Sequence, residues 1–387
     1  MHSPGKILIS YDYFYPAYKA GGPIQSLYNL AVVLSGEYDV YVVTGCHDLG
    51  TTETLSGIKI GQWNSYELPG ASGIIQVWYL EQGWPGWKQL RQIIKTGNFD
   101  TLYLNGMFSP RFLLLPMLLT DKKKTRVVVS PRGMLQKGAL AGKSTKKKRY
   151  LQFIKAAGFM KRIYWHATNE EESINIRQQF GATQQVYIAP NVPKKPYKVA
   201  SASRKVNNEL RLVYLSLISA KKNLLQLVEA VVAAADHIRL DIYGPVKDKD
   251  YWEKIQRIIA TAPHKIFYQG DVRPDKVQEI LTGADVFVLL THGENFGHAI
   301  YESLSVGRPV LLSHFTPWNN LESEHAGWNI DTRDTAEIVG VLNELRGMPI
   351  TLHQAFCEGA HHMALAYYQE TDFKAAYQNL FSANHAV

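Results

Sequence analysis

Short, nearly continuous apolar runs recur along the chain and alternate with stretches whose apolar residues return every third or fourth position. In the first half the runs are 7–10 (ILIS), 40–44 (VYVVT), 101–104 (TLYL) and 127–130 (VVVS), with the first helical pattern over 25–34. Unbroken apolar runs of this length belong to strands covered on both faces, so the rhythm predicts βαβ units and parallel sheets flanked by helices. It restarts at 210–215 (LRLVYL), continues through a helix over 224–235, and reaches a buried strand over 284–290 and a helix over 298–306 that Gly307 ends. Residues 193–208, with Pro193, Pro196, Ser201, Ser203 and mixed charge, read as a linker between the two alternations. The expected organisation is a first Rossmann-like domain over 1–192 and a second over 209–367, with helices over about 351–382 closing the chain. The longest apolar run, 112–119 (FLLLPMLL), is too short to span a bilayer and contains Pro116, so it reads as a buried helix.

Composition agrees with two ordinary domains: of 387 residues, 46% are hydrophobic and 20% charged. Cys46 and Cys357 are the two cysteines, far apart and in no metal-ligand spacing, which points to a reducing compartment without a disulfide scaffold or structural zinc. The start, MHSPGK, lacks the features of a signal peptide, so a cytoplasmic location is expected. Charge adds an asymmetry, because residues 1–200 carry 25 Lys+Arg against 12 Asp+Glu and residues 201–387 carry 17 against 22. The two halves therefore meet different partners. The densest basic runs are 122–124 and Lys146, Lys147, Lys148 and Arg149, within a basic segment over 137–149. An anionic membrane surface suits them, as does a plain solvated face; no nucleic-acid motif accompanies them.

Candidate chemistry lies at the strand ends, where parallel sheets bind ligands. Residues 291–310 (THGENFGHAIYESLSVGRPV) place Glu294 in a strand-to-helix loop and Glu302 inside the following helix. The N–H groups of Asn295, Phe296 and Gly297 open that helix, where its dipole favours phosphate or sugar oxygens. Glu302, about one turn in, is placed to accept hydrogen bonds from a diol such as ribose. Lys222, at the start of the helix over 224–235, combines a mobile cation with a helix N-terminus, as a diphosphate leaving group requires. In the first half, 11–23 (YDYFYPAYKAGGP) closes on Gly21 and Gly22 before a helix, a pair equally compatible with close ligand approach and with a turn. The one Asp-x-Asp, Asp248 and Asp250, reads as first-turn acids of a helix, so no metal is expected.

The wording ENFGHAIYESLSVGRPV resembles the E-x7-E element of the retaining GT-B glycosyltransferases of family 4, the glycosyl transferases group 1, here of bacterial surface-polysaccharide type. Supporting resemblances are QVYIAPNVP over 185–193, similar to the end of that family's first domain, and SPRGM over 130–134, shared with a subset of it. The resemblance implies an α/β GT-B fold, two Rossmann-like domains facing each other across a cleft, with a last helix, about 368–387, packing back on the first. It implies transfer of a sugar from a nucleotide-diphosphate sugar, with no cofactor, to a glycan or polyprenyl-linked acceptor, at the inner face of the cytoplasmic membrane. The donor sugar then falls to Glu294 and the backbone of 295–297, the ribose to Glu302, the diphosphate to Lys222, and the base and ribose lining to Gly244 and Val272. A Gly-rich loop, here Gly21 and Gly22, faces the diphosphate and acceptor. Where many relatives have a His this chain has none, so Arg132 is the candidate for contacting sugar or phosphate. Leu217 stands in the slot of the family's phosphate-binding Arg, with Arg273 and Lys247 as candidate substitutes. A noncatalytic nucleotide-sugar-binding subunit of an assembly complex is the alternative.

Overall fold

A computed structural model describes residues 5–136, 144–161, 163–197 and 209–382. Residues 137–143 of the basic segment, 198–208 of the linker and 383–387 of the last expected helix lie outside the described residues. The chain divides into two units, Met1–Val192 with Asp372–Val387, and Pro193–Thr371.

The first unit holds β1 (Gly5–Ser10), β2 (Tyr38–Gly45), β3 (Trp63–Tyr66), β4 (Ile75–Leu80), β5 (Thr101–Asn105), β6 (Arg126–Ser130), β7 (Tyr164–Ala167) and β8 (Val186–Ile188) in one sheet of order β3-β4-β2-β1-β5-β6-β7-β8. Every pairing is parallel except β3 with β4. Between the strands lie α1 (Gly22–Leu34), α2 (Gly83–Thr96), a wide helical turn (Pro110–Leu114) running into α3 (Leu115–Leu119), α4 (Ser144–Ala156) and α5 (Glu170–Phe180). The strands β5 and β6 are buried at every position, as their unbroken apolar runs require. The apolar run over 112–119 is the turn and short α3, not one helix. The hydrophobic pattern left 45–100 without elements. There β4 alternates more, buried at Ile75, Val77 and Tyr79 and half-buried at Gln76 and Trp78, and it pairs with the short edge strand β3, where Trp63 meets Trp78 edge-to-face at 5.3 Å. The acid-rich start of α5 follows the rules for a helix N-terminus: Asn169 caps it by accepting from the Glu172 N–H at 2.8 Å, and Glu170, Glu171 and Glu172 face the positive dipole end.

The second unit holds β9 (Leu210–Leu215), β10 (Ile238–Tyr243), β11 (Ile266–Gly270), β12 (Val286–Leu289), β13 (Val310–Ser313) and β14 (Gly327–Ile330), all parallel, in the order β11-β10-β9-β12-β13-β14. Its helices are α6 (Leu224–Ala233), α7 (Lys249–Ile259), α8 (Val277–Gly283), α9 (His298–Ser305), α10 (Thr335–Gly347) and α11 (Ile350–Glu370). One apolar core joins the buried strands to Leu227, Val228 and Val231 of α6 and to Ile300 and Leu304 of α9.

The last helix, α12 (Phe373–Ser382), belongs to the first unit. It is fastened there by Arg126, whose Nε donates to Leu380 O at 2.9 Å, and by the Tyr377 hydroxyl, which donates to Pro190 O at 3.2 Å. Each sheet thus winds outward from its first strand in both directions, giving a switch point between β1 and β5 and another between β9 and β12. The crevice beyond the carboxyl end of such a pair is where this architecture accepts ligands. Among the described residues no helix is long and apolar enough to cross a membrane.

Candidate active site

At the switch point of the second sheet, the loops after β9 and β12 are stitched together. His292 N–H and the Thr291 hydroxyl both donate to Lys221 O, at 2.8 and 3.1 Å. This holds a single helical turn, Ala220–Lys222, against the second loop; Asn223, in the left-handed region at φ 53°, ends that turn and starts α6. Lys222 and Glu294, which are 72 positions apart in sequence, form a direct ion pair in which the side chains are 16% and 17% exposed. An ammonium has three N–H donors, so the one held by Glu294 leaves others for a second anion.

Glu294 is also fixed by its backbone, which donates to Phe315 O at 2.9 Å. Gly297 starts α9 with φ 80° and ψ 70°, and a Cβ there would lie 2.6 Å from Ile300 Cδ1 and 3.1 Å from Glu294 Cγ, so both conformation and space demand glycine. The Phe296 ring is core, packed with Tyr301, Trp318 and Tyr367 at centroid distances of 5.9, 5.5 and 5.6 Å. Its expected ligand contact therefore falls to the backbone. Glu302 lies in the second turn of α9, half-buried, and among the described residues nothing hydrogen-bonds its carboxylate. Burial pushes its pKa up to about 7, opposed by the charge of Lys194.

The other expected donor contacts divide. Gly244 has its N–H bonded to Gly270 O at 2.8 Å, and its carbonyl accepts from the Tyr268 hydroxyl at 3.1 Å. A Cβ would sit 1.9 Å from Ser216 O, so strand packing explains this glycine and its N–H does not serve a ligand. Val272 is half-buried against the core. Leu217 is half-buried, and the residues beside it are tied to the loop after β10: Ile218 N–H donates to Pro245 O at 3.0 Å and Lys247 N–H to Ile218 O at 3.1 Å. That places exposed Lys247 beside the Leu217 slot, whereas exposed Arg273 pairs with Asp275 at 3.3 Å. Asp248 caps α7, accepting from Tyr251 N–H at 3.1 Å.

In the first unit the loop after β1 is moored by buried Asp48, whose carboxylate accepts from the N–H groups of Tyr18, Lys19 and Leu49 at 2.9, 3.1 and 2.7 Å. Gly21 then starts α1 with φ 74° and open space where a side chain would stand, beside Gly22. Asp12, just past the end of β1, accepts from the Ser109 hydroxyl at 3.0 Å, and is pushed to a raised pKa by burial.

Arg132 is bonded within its own unit. It lies at φ 54° in the turn after β6, with Nε on Asn105 Oδ1 at 3.0 Å, Nη1 on Asn191 Oδ1 at 2.7 Å and Nη2 on the Tyr103 hydroxyl at 2.8 Å. His166 Nε2 must donate to Ala189 O at 2.7 Å, so Nδ1 accepts from Tyr103, also at 2.7 Å. Burial and the Arg132 charge lower the His166 pKa to about 3 and keep the ring neutral. The turn itself is held by buried Glu172, which accepts from Gly133 N–H at 2.6 Å and Thr168 N–H at 2.9 Å. Each of the three guanidinium nitrogens has a partner inside the unit, so Arg132 braces the strand ends there, with one further N–H on each Nη.

The basic runs are likewise sorted by the fold. Lys122 is spent on Phe159 O at 2.8 Å, and Lys147 lies over the Phe108 ring at 5.4 Å, while Lys146, Lys148 and Arg149 on α4 are exposed. Asp12, Asp48 and Glu172 escaped the sequence reading. Asp12 and Asp48 each follow closely on a strand's carboxyl end, which was the available signal; Glu172 looked like any first-turn helix acid.

Residues 198–359 match the family model of glycosyl transferases group 1. No curated protein matches the chain. Among solved structures, sucrose-phosphate synthase from Thermosynechococcus elongatus is similar at a TM-score of 0.73 and 15% identity, covering 98% of this chain and 100% of that one. HepE from Anabaena, solved with UDP and glucose, gives 0.68 at 14% identity over 98% of both chains. WaaG, a glycosyltransferase involved in lipopolysaccharide biosynthesis, gives 0.64 at 15%, covering 98% of this chain and 100% of that one. With two Rossmann-like units in this order and the match lying over most of the second, the chain has the GT-B glycosyltransferase fold and carries a glycosyl transferases group 1 domain.

Proposed function

We propose that the chain is a retaining, metal-independent glycosyltransferase that moves a sugar from a nucleotide-diphosphate sugar to a glycan or lipid-linked glycan during surface-polysaccharide assembly. The observation that carries this reading is the Lys222–Glu294 pair at the switch point of the second sheet, with half-buried Glu302 following on α9. Glu302 accepts from the ribose diol, Glu294 and the backbone of 295–297 meet the sugar hydroxyls, and Lys222 with the helix N-termini meets the diphosphate. As the bond from the anomeric carbon to the diphosphate oxygen breaks, negative charge grows on that oxygen. Lys222, already desolvated and held by Glu294, stabilises it without reorganising. The acceptor hydroxyl attacks the face the diphosphate leaves, its proton passes to a diphosphate oxygen, and the anomeric configuration is kept. The Asp248 carboxylate is occupied as a helix cap, which favours Lys222, with Lys247 at the Leu217 slot, as the source of positive charge.

The exposed stripe of α4 supports an acceptor held by the first unit at a membrane surface. Lys146 and Arg149 share a helical face with Phe153, which is 57% exposed, so cationic and apolar groups are presented together. The work then takes place at the inner face of the cytoplasmic membrane.

Calorimetric titration with UDP-, GDP- and ADP-sugars, followed by transfer to lipid-linked acceptors, tests the reading; HepE's bound UDP makes uridine the first base to try. One class of donor is expected to bind and turn over. Binding with neither hydrolysis nor transfer would establish the noncatalytic subunit instead.

A further inference from the structure

Beyond the groups assigned above, the segment after β13 holds an exposed aromatic ring next to the Glu294 loop. Ser313, Thr316 and Trp318 are buried, yet Phe315 between them is 55% exposed. The segment is anchored at both ends and in the middle. The Ser313 hydroxyl donates to Thr291 O, Trp318 N–H to Thr316 Oγ1 at 3.3 Å, the Trp318 indole to Phe296 O at 2.6 Å, and Asn329 Nδ2 to Trp318 O at 3.0 Å. The Phe315 carbonyl itself accepts from the Glu294 N–H at 2.9 Å. A large apolar ring is thus kept in water by a well-anchored loop, one hydrogen bond away from the residue assigned to the donor sugar. Leaving such a ring uncovered forgoes hydrophobic stabilisation, unless a ligand covers it.

We propose that Phe315 is a specificity-determining residue that forms the apolar wall of the donor-sugar subsite, lying against a C–H face of the transferred pyranose. The proposal rests on the reading that Glu294 holds the donor sugar. A pyranose has a polar rim of hydroxyls and less polar C–H faces. Glu294 and the backbone of 295–297 satisfy the rim, and an aromatic ring offers contact area to a face without competing for hydrogen bonds. Because Phe315 touches the sugar alone, its removal separates the nucleotide sugar from the bare nucleotide.

The test measures dissociation constants of the parent, Phe315→Ala, Phe315→Leu and Phe315→Tyr for UDP and UDP-glucose, or for GDP and GDP-mannose, whichever pair the parent binds. Phe315→Ala is expected to weaken the nucleotide sugar by about tenfold, while the bare diphosphate stays within about twofold. Phe315→Tyr is expected to match the parent and Phe315→Leu to fall between. Equal losses for both ligands, or no loss for either, overturn the proposal, with melting curves checking that each variant is folded. If the parent binds no nucleotide at all, the donor reading fails first and takes the subsite with it; if the bare nucleotide binds normally and Phe315→Ala changes nothing, only the subsite fails.

Discussion

Replacing Glu302 by Gln keeps the shape of the side chain and removes its titration, which makes it the sharpest probe of the second unit. Burial raises the Glu302 pKa from its ordinary 4.5 to about 7, and nothing among the described residues hydrogen-bonds the carboxylate. A ribose diol donates to the ionised form, so donor affinity must fall as pH falls through 7. With that pKa the ionised fraction drops from about nine-tenths at pH 8 to about one-tenth at pH 6, so the dissociation constant rises about tenfold over this window. The nucleotide sugar is the proper ligand for the assay, because its diphosphate is esterified at both ends, whereas the terminal phosphate of a free diphosphate itself titrates near pH 6. A carboxyl whose pKa is raised on folding also destabilises the fold once it ionises. Nothing is lost below about pH 4.5, and the full cost, up to about 3 kcal/mol, is present above about pH 7. Glu302→Gln is therefore expected to bind the nucleotide sugar more weakly than the parent at pH 8, with little dependence on pH. Without ligand it unfolds at higher denaturant than the parent at pH 8, with no such gain at pH 4. Calorimetry and urea titrations at both ends of the window check this. Parent affinity that is flat from pH 6 to 8, together with a variant that binds as well as the parent, would refute the ribose assignment.

Three further outcomes are expected. Lys222→Ala will depress kcat more than donor affinity, because its charge matters most as the leaving diphosphate becomes more negative; a KM effect with intact kcat, seen in steady-state kinetics, would make it a binding residue only. Arg132→Met leaves Asn105 and Tyr103 without that donor and Asn191 Oδ1 with the Ser26 hydroxyl alone, so the first unit is expected to lose about 3 kcal/mol in denaturant titration while nucleotide-sugar affinity in the second unit is unchanged. Changing Lys146, Lys148 and Arg149 to Gln will reduce sedimentation with anionic vesicles, and parent binding will fade toward about 1 M salt; a variant that sediments like the parent marks a solvated face.

The α/β architecture and the main elements of the second unit can be read from the order of residues alone. Unbroken apolar runs identify buried parallel strands because such strands have no solvent face to write polar residues on, and β5, β6 and β12 were legible for that reason. The places of Glu294 in a loop, Gly297 at a helix start and Glu302 inside that helix were legible because they fall within one continuous strand-loop-helix stretch, whose local geometry follows from its own residues. Elements at the sheet edge, β3 and β4, were not, since partial cover weakens the apolar signal. Pairings were beyond reach wherever partners lie far apart along the chain. That Lys222 meets Glu294, and that Arg132 and Lys122 are spent inside the first unit while Lys146, Lys148 and Arg149 stay exposed, depends on which loops the strand order brings together. The same physical reason covers Gly244 and Phe296: a residue type announces a glycine turn or an aromatic contact, but only the packing around it decides whether a strand, a core or a ligand receives it.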